Sequence, residues 1–194
     1  RLLRYVRAAT QAGERAATLT RRLLAFARRQ PLQPGSLNLN ALVGDMRELI
    51  RRSVGEAIQV EAVLAGGLWR TWADANQVEN ALLNLAINAR DAMPGGGSLR
   101  FETANVTVDA DAAAILPDAR PGRYVAVSVI DTGEGMPPDI VERALEPFFT
   151  TKEIGKGSGL GLSMIYGFVR QSGGHLTLES APGKGTRVSL HLPW

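Results

Sequence analysis

Apolar residues recur at strict three- and four-residue steps over the first 30 positions: Leu2, Tyr5, Ala9, Ala12, Ala16, Leu19, Leu23 and Phe26. That spacing is the seam of a helix packing in a bundle or coiled coil. So narrow a stripe, flanked by Arg, needs a partner helix from outside this stretch or from a second subunit. Gln30-Pro31-Leu32-Gln33-Pro34-Gly35 then breaks the pattern, and residues 31–37 read as a hinge linker.

Past the hinge the period alternates between helix and strand. Leu39 to Arg52 reads as a helix capped by Asn38 or Asn40, and Ile58 to Leu64 as a strand, with a short strand near Trp69 to Trp72. Asp74 can cap a long helix that runs to about Met93, where Pro94 and three glycines stop it. Ser98 to Val108 and Tyr124 to Ile130 read as strands, Pro138 to Leu145 as a short helix, and Leu160 to Gln171 as a helix ended by Gly173-Gly174. Strands His175 to Glu179 and Arg187 to Leu192, joined by Pro-Gly-Lys-Gly, form a closing hairpin. This order predicts an α/β two-layer sandwich over residues 38–194, a mixed sheet covered on one face by helices and preceded by a long N-terminal helix.

Composition narrows the class. The chain has 194 residues, 45% apolar and 21% charged, in the range of an ordinary globular domain. It has no cysteine, which excludes disulfides and thiolate metal sites. No apolar run approaches the roughly 20 residues of a membrane span, and no signal peptide is evident. A cytoplasmic setting is expected, with room for a membrane anchor upstream. The net charge of +3 hides a division: residues 1–30 carry eight Arg against one acid, Glu14. No aromatic platform accompanies them, so a solvated helix face is favoured and no nucleic-acid partner is expected.

The chemistry-bearing residues fall at element junctions. On the long helix Val78, Leu82, Leu85 and Ala89 make the apolar stripe, while Asn84, Asn88 and Asp91 share another face. Mid-helix Asn is unfavourable by roughly half a kcal/mol against Ala, because its amide competes for the backbone. A solvated face is one explanation for the three, and oxygen ligands for Mg²⁺ beside a phosphate are the other. Asp131-Thr-Gly-Glu-Gly-Met-Pro137 follows a strand, so Asp131 can offer a carboxylate to a base amino group while Gly133 and Gly135 let the backbone close on a ring. Glycines 155, 157, 159 and 161 run into a helix N-terminus, where bare N–H groups and the dipole favour an anion. Lys152 and Lys156 add positive charge there. The spacing is neither a Walker loop nor a dinucleotide fingerprint. His175 and His191 are too isolated for a dyad or metal site and read as structural; Phe148-Phe149 reads as core beneath a mobile loop.

Taken together these residues resemble the ATP-binding domain of sensor histidine kinases, in the superfamily shared with DNA gyrase, MutL and a heat-shock chaperone. Asn84 and Asn88 match the N box, Asp131-x-Gly133-x-Gly135 the first glycine box, Phe148-Phe149-Thr150-Thr151-Lys152 the F box, Gly157-x-Gly159-x-Gly161 the second glycine box and Gly183-x-Gly185-Thr186 the last. The resemblance spans about residues 36 to 194. It implies Asn88 as the Mg²⁺ ligand, with Asn84 beside it and Asp91 on the same face. It implies Asp131 on the adenine amino group, assisted through water by Thr186, with Gly133, Gly135 and Met136 shaping the base pocket. Thr151, Lys152, Lys156, Gly157, Ser158, Gly159, Leu160 and Gly161 would face the phosphates. Asn84 and Lys152 stand as the catalytic positions.

The function so implied is a two-component sensor kinase that binds Mg-ATP and donates the γ-phosphoryl to a histidine, for relay to an Asp of a response-regulator receiver domain. Gyrase-type relatives carry a Glu base where Asn84 stands, and Asn cannot activate water, so transfer is favoured over hydrolysis. The Arg-rich segment resembles the second helix of a dimerisation and phosphoacceptor hairpin, implying a homodimer and an acceptor His on an upstream helix, a role neither His175 nor His191 fits. The alternatives are a nucleotide-binding conformational switch and a gyrase- or MutL-type ATPase.

Overall fold

A computed structural model describes residues 32–152 and 157–194. The helix expected over residues 1–30, and Lys156, lie outside the described residues.

Short strand β1 (Gly35–Leu37) pairs antiparallel with β3 (Thr71–Ala73), Ser36 opposite Trp72. This corrects the hinge reading over residues 35–37. The Gln33 N–H donates to Asp74 Oδ2 at 2.9 Å, and Arg70 donates to the Ser36 hydroxyl and carbonyl, so the chain is docked before the first helix begins. Pro31 and Pro34 broke the helical pattern but left every N–H of Gly35 to Leu37 free for a ladder.

Helix α1 (Leu39–Val54) starts where Asn38 accepts from the Ala41 N–H, and it buries Leu39, Leu42, Val43, Met46, Ile50 and Val54 on one stripe. Helix α2 (Ala75–Asp91) starts at Asp74, whose side chain accepts from Gln77 N–H. It buries Val78, Ala81, Leu82, Leu85, Ala86 and Ala89. Helix α3 (Ala110–Ile115), which periodicity missed, buries nothing and stands on its cap from Asp109. Helix α4 (Pro138–Arg143) is a short connector, and α5 (Gly161–Gln171) buries Ile165, Phe168 and Val169.

The main sheet has five strands in the order β2-β4-β5-β7-β6, comprising β2 (Ile58–Val63), β4 (Gly97–Val108), β5 (Gly122–Asp131), β6 (His175–Ser180) and β7 (Thr186–Pro193). Only β2 with β4 is parallel; the other pairs are antiparallel. Leu99, Phe101, Val125, Val127, Val129, Val188, Leu190 and Leu192 join the apolar stripes of α1, α2 and α5 in one core. Each fully buried Leu or Phe side chain contributes about 1.5–3 kcal/mol, so the faces that carry the motifs are fixed by this core. The opposite face is polar: Arg100 pairs with Glu61 and Glu102, and Glu102 with Arg187. The fold is the mixed-sheet α/β sandwich the pattern predicts. No helix among the described residues is long and apolar enough to cross a membrane.

Candidate functional site

Three strand ends meet in one row. Leu99 on β4 stands opposite Asp131 on β5, Asp131 opposite Thr186 on β7, and Thr186 opposite Ser180 on β6. Directly opposed residues of a ladder project to the same face. Leu99 is fully buried in the helix-covered core, so Asp131, Thr186 and Ser180 also face the helices. The sheet thereby sets a polar row at the end of an apolar one.

Asp131 Oδ1 accepts from the N–H of Gly133 at 2.9 Å and of Thr186 at 3.2 Å; neither bond uses Oδ2. Burial pushes the Asp131 carboxyl above its ordinary pKa, against the pull of those two N–H groups. The loop after it is held on both sides. Glu134 N–H donates to the Ala92 carbonyl at the end of α2, Met136 N–H donates to Ser180 Oγ, and Gly183 N–H donates to the Glu134 carbonyl. Two glycines are dictated by this packing. Gly135 and Gly185 both have positive φ (67° and 73°), and a Cβ would collide with the carbonyls of Ala181 and Asp131 respectively.

Asn84, Asn88 and Asp91 lie on α2 as spaced. Asn88 reaches the start of α5, since a Cβ on Gly161 would be 3.7 Å from its Nδ2. Helix α5 begins after Leu160 with no side-chain cap, leaving its first N–H groups unclaimed by a capping side chain. Leu160 itself is buried, its N–H donating to Ser158 Oγ at 3.3 Å. Lys152 sits across from this corner: its Nζ is 2.6 Å from Asp91 Oδ2 and 3.5 Å from Asn88 Oδ1. Partial burial works to raise the Asp91 pKa, but the hydrogen bonds and charges of Lys152 and Arg90 outweigh it and hold the carboxyl below its ordinary value. A protein cation thus rests against two α2 oxygens, which shows the charge this corner accepts.

Most of the residues singled out are brought together here. Gly157 lies against Thr150 and Lys152, Gly159 accepts the Phe148 N–H at 2.8 Å, and Thr151 is exposed. Phe148 is a correction: it is 55% exposed with φ of 68°, because its N–H turns inward to Gly159, whereas Phe149 lies beneath the Arg143 guanidinium. His175 and His191 stack at 4.3 Å on the far part of β6 and β7, His175 fully buried against the edge of Tyr124. Ser180 was not foreseen; a lone Ser before a turn carries no signal that sets it apart. Among the described residues no three His, Cys, Asp or Glu gather as a metal cage. An open groove of about 890 Å³ runs between α1 and β2, lined by Arg47, Arg51 and Glu61 among others, and it contains none of the motif residues.

Comparison with known proteins agrees with this geometry. A family model described as Histidine kinase-, DNA gyrase B-, and HSP90-like ATPase matches residues 73–194. The sensor kinase CckA of Brucella abortus (strain 2308) is 48% identical over 187 residues, covering 94% of this chain and 19% of that protein. The two-component sensor PprA of Pseudomonas aeruginosa is 39% identical over 140 residues, covering 71% of this chain and 14% of that protein. The chain therefore spans less than a fifth of these relatives. Among solved structures, full-length ShkA in complex with AMPPNP superimposes with a TM-score of 0.76 at 25% identity, covering 97% of this chain and 38% of that one. The mycobacterial sensor histidine kinase MprB gives 0.63 at 25% identity, covering 84% and 97%.

Proposed function

The chain belongs to the family of histidine kinase-, DNA gyrase B- and HSP90-like ATPases, and on that premise we propose that it binds Mg-ATP and presents the γ-phosphoryl group to a histidine for relay to a response regulator. One observation carries the reading. Two polar features flank the C-terminal part of α2: at one end the Asp131 carboxylate, whose following loop packs on Ala92, and at the other the uncapped start of α5 against Asn88, with Lys152 beside it. An adenine nucleotide needs an acceptor for its amino group and an electropositive seat for its phosphates, and the two ends supply these.

Asp131 takes the amino hydrogen of the base on the oxygen its backbone partners leave. The N–H groups at the start of α5 hold phosphate oxygens along the dipole. Asn88 is placed to hold a Mg²⁺ ion through its side-chain oxygen, a fit supported by the Lys152 ammonium resting there now. When bound, that metal would neutralise phosphate charge and orient the transferring group. Asn84, one turn before Asn88, supplies a polar partner but no base for water, which favours transfer to a protein acceptor over hydrolysis. Lys152 exchanges its carboxylate partner for phosphate. Catalysis is then positioning and charge stabilisation.

The test has two stages. Calorimetry should show Mg-ADP binding in the micromolar to millimolar range, about −4 to −8 kcal/mol. In the full-length protein, γ-labelled ATP should leave an acid-labile, base-stable phosphoryl group that Asn88→Ala abolishes. Binding without any such label would favour a nucleotide-gated switch instead.

A further inference from the structure

Ser180, the last residue of β6, has three polar neighbours on one hydroxyl. The Met136 N–H lies 2.8 Å from its Oγ, the Gly185 carbonyl 2.9 Å and the Thr186 Oγ1 2.9 Å. A hydroxyl has one proton and two lone pairs. Met136 N–H can only donate, so it takes a lone pair. The Gly185 carbonyl can only accept, so it takes the proton. The remaining lone pair faces Thr186, which must therefore be the donor in the Ser180–Thr186 bond. All three capacities of Ser180 are filled, and the Thr186 proton is committed to it.

The consequence reaches the neighbouring strand. Thr186 stands between Asp131 and Ser180 in the same row, on the same face. With its proton turned to Ser180, the Thr186 hydroxyl has only lone pairs left for a ligand. The Asp131 carboxylate is likewise an acceptor, its Oδ1 already taken by two N–H groups. Two adjacent acceptors make an edge that demands hydrogen on whatever group sits directly against it. At position 6 an amino group meets that demand, whereas an oxo group there sets lone pair against lone pair, even though its neighbouring ring N–H can still donate.

We propose that Ser180 is a positioning residue that fixes Thr186 as a hydrogen-bond acceptor and so makes the base pocket select 6-amino over 6-oxo purine nucleotides. This rests on the adenine-nucleotide reading above. Without Ser180, the Thr186 hydroxyl is free to turn and donate to a 6-oxo group.

Calorimetry with ADP and with inosine diphosphate, both with Mg²⁺, decides it on the ratio of affinities. The wild-type protein should prefer ADP. Ser180→Ala should weaken ADP modestly and cut the ADP-to-inosine-diphosphate preference by about fivefold, the scale of one exchanged hydrogen bond. Ser180→Thr, which keeps one donor and two acceptors, should restore the preference. Thr186→Val, which keeps the shape and removes the hydroxyl, should lower it as Ser180→Ala does, and it decides the matter if the alanine variant does not fold. A loss of affinity equal for both nucleotides in folded Ser180→Ala, a preference unchanged in Thr186→Val, or a threonine variant that stays at the alanine ratio would each overturn the inference. A wild-type protein that binds neither nucleotide would instead overturn the ATP reading itself.

Discussion

Lys152 Nζ lies 2.6 Å from Asp91 Oδ2, so the ammonium occupies the same corner as the Asn88 side-chain oxygen. Both side chains keep about a third of their surface in water (34% and 29%), which places the pair among partly exposed bridges worth about 0–1 kcal/mol. On the proposal that Asn88 holds a divalent ion, the ammonium is a competitor held weakly enough to be displaced. Lys152→Met should raise the affinity for Mn²⁺, read by water-proton relaxation without nucleotide, by up to about fivefold. Asn88→Ala should lower it. Equal Mn²⁺ binding in wild type and Lys152→Met would show that the ammonium does not contest the metal.

Asp131→Asn keeps an oxygen that can accept from Gly133 and Thr186 but loses the charge that holds an amino group. Thermal stability should hardly change, while ADP affinity should fall by about 10- to 100-fold, the range for a hydrogen bond to a charged group. Because burial raises the Asp131 pKa, wild-type affinity should also decline on acidification at a pH where an exposed aspartate would still be ionised. Calorimetric titrations across pH 4 to 7 would show it, and an Asp131→Asn variant with unaltered affinity would remove this carboxylate from base recognition.

The stacked histidines give stability a pH dependence of known sign. Burial first, and then the neighbouring His175, depress the His191 pKa to about 4. Burial also depresses that of His175, with Asp118 opposing. A histidine with a lowered folded pKa is neutral in the fold but takes a proton when unfolded, so its contribution is present above about pH 6.5 and is lost as pH falls toward 4. For His191 the loss by pH 4.5 is on the order of 2–3 kcal/mol. The drop in urea midpoint from pH 7.5 to pH 4.5 should be smaller in His191→Phe than in wild type. Parallel pH slopes in the two proteins would contradict this.

Gly185 and Gly183 separate crowding from backbone strain within one turn. Both have φ near 70° (73° and 71°), but a Cβ on Gly183 meets nothing within 4 Å, while one on Gly185 strikes the Asp131 carbonyl. Gly183→Ala should cost about 1 kcal/mol, the ordinary penalty of a left-handed residue. Gly185→Ala should cost clearly more and weaken nucleotide binding too, because the clash displaces the strand end that bears Asp131. Denaturant unfolding of the pair would test the difference.

The alternation of Val125, Val127 and Val129, the stripes of the two long helices and the glycine-marked strand ends were legible in the sequence, because each follows a period or a local backbone demand. So was the meeting of the Asp131 and Thr186 motifs, through motif spacing rather than through any distance. Ser180 was not legible, since its importance comes from which strands lie beside it. Helix α3 was missed because Ala110 to Ile115 buries nothing and leaves no apolar period. Gly35 to Leu37 read as linker because three residues are too few to alternate, and only their pairing with Thr71–Ala73 makes them a strand. Phe148 was misread because an aromatic residue ordinarily goes inward, whereas here its backbone does.

The row of Asp131, Thr186 and Ser180 crosses three strands, of which β5 is separated from the closing hairpin of β6 and β7 by helices α4 and α5. A slip of one residue in the β5–β7 ladder would turn Thr186 away from Asp131 and carry Val188, Leu190 and Leu192 out of the core with it. One register thus serves both the core and the polar row, so the apolar packing of β7 enforces the alignment on which the proposed base recognition depends.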